Sequence, residues 1–141
     1  MTEIMDKYIF SIEFNIRDYE LDSEGIVNNA HYLNYLEHTR HEFCRFAGYS
    51  FDQMTKDHII PVVNRIEIDY KSPLRSGDTV CSQLWIEQSG PRFIFHQDLY
   101  NKSTNKLSAR ALVSIVSLEN DRLSRGDKLA KVFAPYIYKQ S

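Results

Sequence analysis

The chain has 141 residues, of which 43% are hydrophobic and 26% are charged, and its formal net charge at pH 7 is −2. This length and composition indicate one globular domain over residues 1–141 and exclude a largely disordered chain. The small negative charge argues against a dedicated nucleic-acid-binding protein, which would present a basic surface. The two cysteines, Cys44 and Cys81, lie far apart and indicate a cytoplasmic protein without a disulfide framework.

The N-terminal third is predicted to hold a strand followed by a long helix. Bulky and polar side chains alternate from Tyr8 to Phe14, which is typical of a strand. Helical periodicity then extends from Ala30 to Ala47, with Asn28 or Asn29 as the N-cap and Gly48 as the C-terminal stop. The acidic N-terminus does not resemble a signal peptide, and no apolar run approaches the roughly 20 residues of a membrane-spanning helix.

The long helix is predicted to be amphipathic, with one apolar stripe and one polar face. The stripe consists of Tyr32, Leu33, Tyr35, Leu36, Thr39, Phe43, Phe46 and Ala47. The polar face consists of His31, Asn34, His38, His41 and Arg45. No cysteine or carboxylate set joins the three histidines to complete a tetrahedral metal site, so we predict a solvated face and no bound metal.

The remainder of the chain is predicted to be mostly strands. They cover Val62–Tyr70, Thr79–Gln88, Arg92–Tyr100 and Leu107–Leu118, with short helical turns near Phe51–Met54 and within Gly126–Pro135. Their hairpin spacing favours an antiparallel meander to which the first strand adds. The predicted fold class is therefore α+β, with one long central helix wrapped by a curved five-stranded antiparallel sheet. The uncovered sheet edges and the many aromatic residues favour a homodimer.

Two stretches carry a resemblance to a known family. The residues from Asp22 to Leu33 read DSEGIVNNAHYL, and those from Ile66 to Val80 read IEIDYKSPLRSGDTV. In this order they resemble two signatures, D-x-x-G-[HIV]-V-x-[NHY]-x-x-Y and I-x-Y-x-x-P-x-x-x-G-D-x-V, of the hotdog-fold acyl-CoA thioesterases related to 4-hydroxybenzoyl-CoA thioesterase. The resemblance covers the chain from about Phe10 to Tyr136. It implies the hotdog fold, an active site at a subunit interface, and a dimer or a homotetramer built from dimers.

The resemblance also implies an acyl-CoA thioesterase that needs no cofactor, since coenzyme A is part of the substrate. Asp22 would be the catalytic carboxylate, acting either as the general base on water or as a nucleophile that forms an anhydride. The backbone N–H of Asn29, at the electropositive start of the helix, would hold the thioester carbonyl. The alternative role for Asp22 is to organise an Asx-turn before the helix.

Further site residues are predicted with alternative roles. Asn28 and Asn29 either cap the helix or also orient water or the carbonyl through a side-chain amide. Glu37 either lines the site or pairs with Arg40 or His41 one turn along the helix. The predicted substrate and CoA contacts are Gly25, Ile26, Val27, Tyr32, Val62, Val63, Asn64, Lys71, Arg75 and Arg92.

Three other functions are alternatives to this prediction. The plant-type acyl-carrier-protein thioesterases share the Val27-Asn28-Asn29 run, which leaves an acyl carrier protein open as the acyl donor. A non-catalytic acyl-CoA-binding module on the same fold would bind the ligand without turnover. A dehydratase of the same fold uses a different His/Asp arrangement, and no matching motif is present in this sequence.

Overall fold

The computed structural model describes residues 7–139, so the N-terminal segment for which no signal peptide is predicted lies largely outside the described residues. The strands are β1 (Phe10–Asn15), β2 (Ile59–Tyr70), β3 (Thr79–Ser89), β4 (Arg92–Asn101), β5 (Lys106–Glu119) and β6 (Arg122–Leu123). The α-helices are α1 (Asn29–Phe46), α2 (Phe51–Lys56) and α3 (Asp127–Phe133). No helix of the described range is long and apolar enough to cross a membrane.

The predicted architecture is confirmed. The sheet has the strand order β1-β3-β4-β5-β2, all neighbouring pairs are antiparallel, and the two-residue β6 pairs with β5. Helix α1 buries one side against the sheet, where Phe43 packs edge-on against Phe95 with 6.2 Å between ring centroids. The short helix α3 supports the same core, because Phe133 packs against Phe43 at 5.6 Å.

The predicted meander is wrong at one connection, the one between β2 and β3. Strand β2 pairs with β5, from Ile59 opposite Glu119 to Tyr70 opposite Ala109, and not with β3. The segment 71–78 is not a hairpin turn, because it crosses the sheet past the beginning of α1. There, the fully buried Leu74 accepts a hydrogen bond from the Val27 N–H at 2.9 Å. This crossing leaves β2 at one edge of the sheet and brings 71–75 beside the start of the helix.

The predicted apolar stripe of α1 is largely correct, but its position around the helix is shifted. Tyr32, Tyr35, Leu36, Thr39 and Phe43 are buried. Leu33 and Phe46 were predicted to be buried but are 42% and 58% exposed, while Arg40 and Cys44 are buried instead. A helical wheel gives the periodicity of the apolar residues, whereas the placement of the sheet decides which flank of the stripe is covered.

Candidate active site

The segment between β1 and α1 forms a small antiparallel turn at the start of the helix. Leu21 and Val27 form a β-bridge, and the Asp22 N–H donates to the Ile26 carbonyl at 2.8 Å. Gly25 has a φ of +79°, a left-handed conformation that glycine adopts without steric strain. The turn predicted around Gly25 is therefore present, and it holds Asp22 next to the residues that open α1.

The Asp22 side chain is half-buried and organises this turn. Its Oδ1 accepts the Glu24 N–H at 2.8 Å and, at a longer 3.5 Å, the Ile26 N–H. This is the Asx-turn that was weighed as the alternative role. The recorded hydrogen bonds of this carboxylate within residues 7–139 all use Oδ1. Asp22 Oδ2 therefore has no hydrogen-bond partner among residues 7–139.

The first turn of α1 has one unused backbone donor. Asn28 is the N-cap, as predicted, because its Oδ1 accepts the Ala30 N–H at 2.9 Å and its carbonyl accepts the His31 N–H at 2.9 Å. The Asn28 N–H donates to the Glu20 carbonyl at 3.3 Å. The Asn29 N–H has no acceptor among the described residues. A free N–H at the positive end of an 18-residue helix is a suitable donor for a carbonyl oxygen or an anion.

A cleft of about 290 Å³ lies against this free donor. Five of the predicted site residues line it, namely Ile26, Val27, Asn29, Tyr32 and Lys71, together with Ser72 and Pro73. The cleft also contains Tyr70, which was not predicted as a site residue although it stands at the tyrosine position of the second signature. The Tyr70 ring packs edge-on against Tyr32 with 5.1 Å between centroids, and its hydroxyl donates to the Asn29 carbonyl at 3.4 Å.

Other predicted contacts lie outside this cleft within one chain. Arg75 is adjacent, because its backbone forms a bridge with Ile26. In contrast, Val63 and the strand that begins at Arg92 lie at the opposite end of the sheet, because both Val63 and Phe93 pair with Ile115. Asn64 lies six positions before Tyr70 on β2, which is roughly 20 Å along a strand. A single chain therefore does not bring Val62–Asn64 or Arg92 to the start of α1.

Glu37 points outward from α1, with 57% of its side chain exposed, and its Oε1 lies 3.4 Å from the His41 Nε2. The pairing with His41 that was weighed for Glu37 is thus present in the single chain. His41 was predicted to be on a solvated face, but it is only partly exposed, with 32% of its side chain accessible. Its ring stacks on Phe51 at 3.7 Å between centroids, and its Nε2 is enclosed. This burial lowers the pKa of His41, and the ring is covered because α2 folds back against α1.

Sequence reasoning missed a buried carboxylate that supports the turn. Glu20 is 4% exposed, and its carboxylate accepts the Arg17 N–H at 2.8 Å and the Arg17 guanidinium at 2.9 Å. Burial alone would raise the pKa of Glu20, but the hydrogen bonds from Arg17 outweigh it and lower that pKa. Because the Glu20 carbonyl also accepts the Asn28 N–H, this residue ties the end of β1 to the N-cap of α1.

Several known proteins are similar to this chain in sequence or in fold. The chain is 43% identical over 67 residues to the chloroplastic acyl-acyl carrier protein thioesterase ATL3 of Arabidopsis thaliana, an alignment that spans 48% of this chain and only 35% of that protein. It is 31% identical over 110 residues to the putative acyl-CoA thioesterase YneP of Bacillus subtilis (strain 168), across 77% of this chain and 79% of YneP.

Among solved structures, the probable thioesterase YbaW of Escherichia coli superposes with a TM-score of 0.76 at 25% identity, covering 91% of this chain and 98% of YbaW. Residues 16–134 match the family model described as the thioesterase-like superfamily. The predicted family is thereby confirmed. The chain belongs to the thioesterase-like superfamily and has its hotdog fold.

Proposed function

We propose that this protein is an acyl-CoA thioesterase that hydrolyses a thioester to the free acid and coenzyme A. The observation that carries the proposal is a tyrosine-walled cleft next to the Asp22 turn. It is lined by Asn29, the first residue of α1, whose N–H has no acceptor among residues 7–139. A donor aimed at the developing oxyanion is usually the largest single contribution to acyl-transfer catalysis. One such N–H is worth about 2.7–4 kcal/mol in the transition state.

In the proposed reaction, Asp22 acts as the general base. It removes a proton from a water molecule whose oxygen attacks the thioester carbon, and the carbonyl electron pair moves onto the oxygen held by the Asn29 N–H. When the carbonyl re-forms, the C–S bond breaks and the thiolate takes up a proton. Within one chain Asp22 is not among the residues that line the cleft, but its N–H donates to the carbonyl of Ile26, which is one of them. A general base acts on the carbonyl carbon through a water molecule and does not itself need to touch that carbon.

The remaining groups around the cleft suit the rest of an acyl-CoA. Tyr32 and Tyr70 provide aromatic walls for the acyl group next to the carbonyl. Lys71 lines the cleft and Arg75 follows it, and neither forms an ion pair within residues 7–139. Many other cations are neutralised, as Lys102 is by Glu13 at 2.8 Å. Lys71 and Arg75 are therefore available for the phosphates of coenzyme A.

The active form is proposed to be a dimer joined through β2. This 12-residue strand lies at the edge of the sheet and exposes large apolar side chains, including Val63 at 40% and Ile66 at 38%. An exposed apolar edge strand is a template for pairing with a second strand. Antiparallel pairing of two β2 strands about their middle would set Val62 of one chain opposite Glu67 of the other. Val62 would then lie about three residues along the strand from the other chain's Tyr70, nearer to a cleft than it lies within one chain.

The decisive experiment is a thiol-release assay with short, long and aromatic acyl-CoAs, comparing the wild type with Asp22→Asn. We expect the substitution to lower kcat by about 10²–10⁴-fold, the usual contribution of a general base. Glu24→Gln is the matched control, since Glu24 is an exposed carboxylate two residues away, and it should retain full activity. If Asp22→Asn retained most of the wild-type rate, the assignment of the base would be wrong.

A single turnover in ¹⁸O-water distinguishes the base route from the nucleophilic route. Direct attack by water puts the label into the released acid in the first turnover. Attack by the Asp22 carboxylate would instead expel the thiolate and form an anhydride between the acyl group and Asp22. When water cleaves this anhydride at the Asp22 carbonyl carbon, the first label enters the protein and the released acid carries an unlabelled oxygen from Asp22.

The second candidate is an acyl-acyl-carrier-protein thioesterase, which the similarity to ATL3 supports. Presenting the same acyl group on coenzyme A and on an acyl carrier protein separates the two donors by kcat/KM. The basic residues Lys71 and Arg75 would suit the phosphate groups of either acyl carrier, coenzyme A or the acyl carrier protein. Saturable binding without thiol release would instead indicate the non-catalytic binding module.

A further inference from the structure

Tyr70 is a cleft residue whose hydroxyl is weakly bound. The last residue of β2, it is 47% exposed, and its Oη lies 3.4 Å from the Asn29 carbonyl. An O–H···O bond of normal strength is about 2.7–2.8 Å long. The Asn29 carbonyl follows the N-cap and is also an acceptor in the α1 hydrogen-bond ladder, so it does not depend on Tyr70 for a partner. The hydroxyl can therefore give up this weak hydrogen bond for a shorter one to another acceptor with little loss of free energy.

The ring of Tyr70 is held in place while its hydroxyl is not. It packs edge-on against Tyr32, with 5.1 Å between centroids and 73° between the ring planes, and Tyr32 is 3% exposed. The ring thus lies against a buried neighbour, and rotation of the O–H bond changes the direction of donation without moving the ring. In the same cleft, the N–H of Asn29 has no acceptor within the described part of the chain.

We propose that the Tyr70 hydroxyl is a second hydrogen-bond donor to the thioester oxygen, acting beside the Asn29 N–H. This inference rests on the proposed hydrolase function. When water attacks the carbonyl carbon, the electron pair of the C=O bond moves onto the oxygen, and the Tyr70 O–H leaves the Asn29 carbonyl to donate to it. The O–H bond stays intact, and the hydroxyl returns when the C–S bond breaks and the carbonyl re-forms.

The test is Tyr70→Phe, which removes only the hydroxyl and keeps the ring contact with Tyr32. We expect kcat to fall about 10²-fold, the effect of losing one oxyanion donor, with KM changed less than about threefold. Tyr100→Phe on β4 is the matched control, because Tyr100 does not line the cleft, and it should match the wild type. The melting temperature of Tyr70→Phe should equal that of the wild type, since the hydrogen bond that the substitution removes is long and partly exposed.

An S-alkyl-CoA, a thioether that lacks the carbonyl oxygen, provides the second readout. It should bind wild type and Tyr70→Phe with the same Kd, because the hydroxyl has no oxyanion to contact. Weaker binding of this thioether by Tyr70→Phe would overturn the inference, since the residue would then serve ground-state binding. Full kcat in Tyr70→Phe, while Asp22→Asn is inactive, would overturn this inference alone. Absence of thiol release by the wild type would overturn the proposed hydrolase as well.

Discussion

The N-cap of α1 links the stability of the helix to the proposed oxyanion site. Asn28 Oδ1 holds the Ala30 N–H at 2.9 Å, and the side chain is exposed, so Asn28→Ala removes one capping bond without creating a cavity. Loss of such a cap costs about 1 kcal/mol of the free energy of unfolding. For a domain of this size, that lowers the melting temperature by roughly 3–4 °C.

The same substitution should reduce hydrolysis. An uncapped first turn frays, so the Asn29 N–H spends less time directed at the thioester oxygen, and we expect kcat to fall by about tenfold, part of the contribution of one donor. The assay is thiol release at saturating acyl-CoA, combined with thermal unfolding. Substitution of Asn28 by Ser keeps a capping oxygen but no amide, so it should restore both stability and kcat.

The serine variant also separates capping from the alternative role of the Asn28 amide. If Asn28→Ser were as stable as the wild type but as slow as Asn28→Ala, then the amide itself would act on the substrate and the capping argument would be refuted. If Asn28→Ala kept full kcat despite its lower melting temperature, the start of α1 would not contribute to catalysis.

Three further outcomes follow from buried or edge residues. Because its pKa is lowered in the folded state, the Glu20 carboxylate stabilises the protein above about pH 4.3 and loses that effect as the pH falls through its folded pKa. Glu20→Gln should therefore remove about 2 kcal/mol of unfolding free energy at pH 7 and flatten the acid dependence in urea titrations. Ile66→Lys on β2 should convert the proposed dimer to a monomer in sedimentation experiments. Burial raises the pKa of Cys44 to about 12, so its thiol should react with a disulfide reagent only after unfolding.

Each of these outcomes has a control in the same chain. Arg17→Met should reproduce the stability loss of Glu20→Gln, since either change breaks the same pair; an unchanged acid dependence in both variants would contradict the argument. Ser11→Lys, on the opposite edge strand β1, should leave the oligomeric state unaltered. The Cys44 measurement requires a Cys81→Ser background, and rapid labelling of the native protein would show that the thiol is accessible.

Local sequence patterns were sufficient to predict the turn and the helix that form the candidate site. The Asn28 cap, the turn at Gly25 and the helix that follows depend on neighbours within a few residues, so residue type and spacing predict them. The motif resemblance correctly predicted the family. The predicted site residues Asn29 and Lys71 both line the cleft. Tyr70 stands in the second signature, but only the fold brings it to Asn29, because the contact between them joins residues 41 positions apart.

By itself, the sequence determined the order and type of the elements, since periodicity is local and each strand or helix must bury one face. Only the tertiary structure decided which strands are neighbours. The crossing of 71–78 beneath α1 places β2 at the edge beside β5, and hairpin-like spacing cannot reveal this. The same crossing brings Tyr70 and Lys71 to the helix start and leaves Arg92 at the far end of the sheet. Strand pairing depends on how residues far apart in the sequence pack together in the core. In this protein, that packing brings together the residues of the cleft.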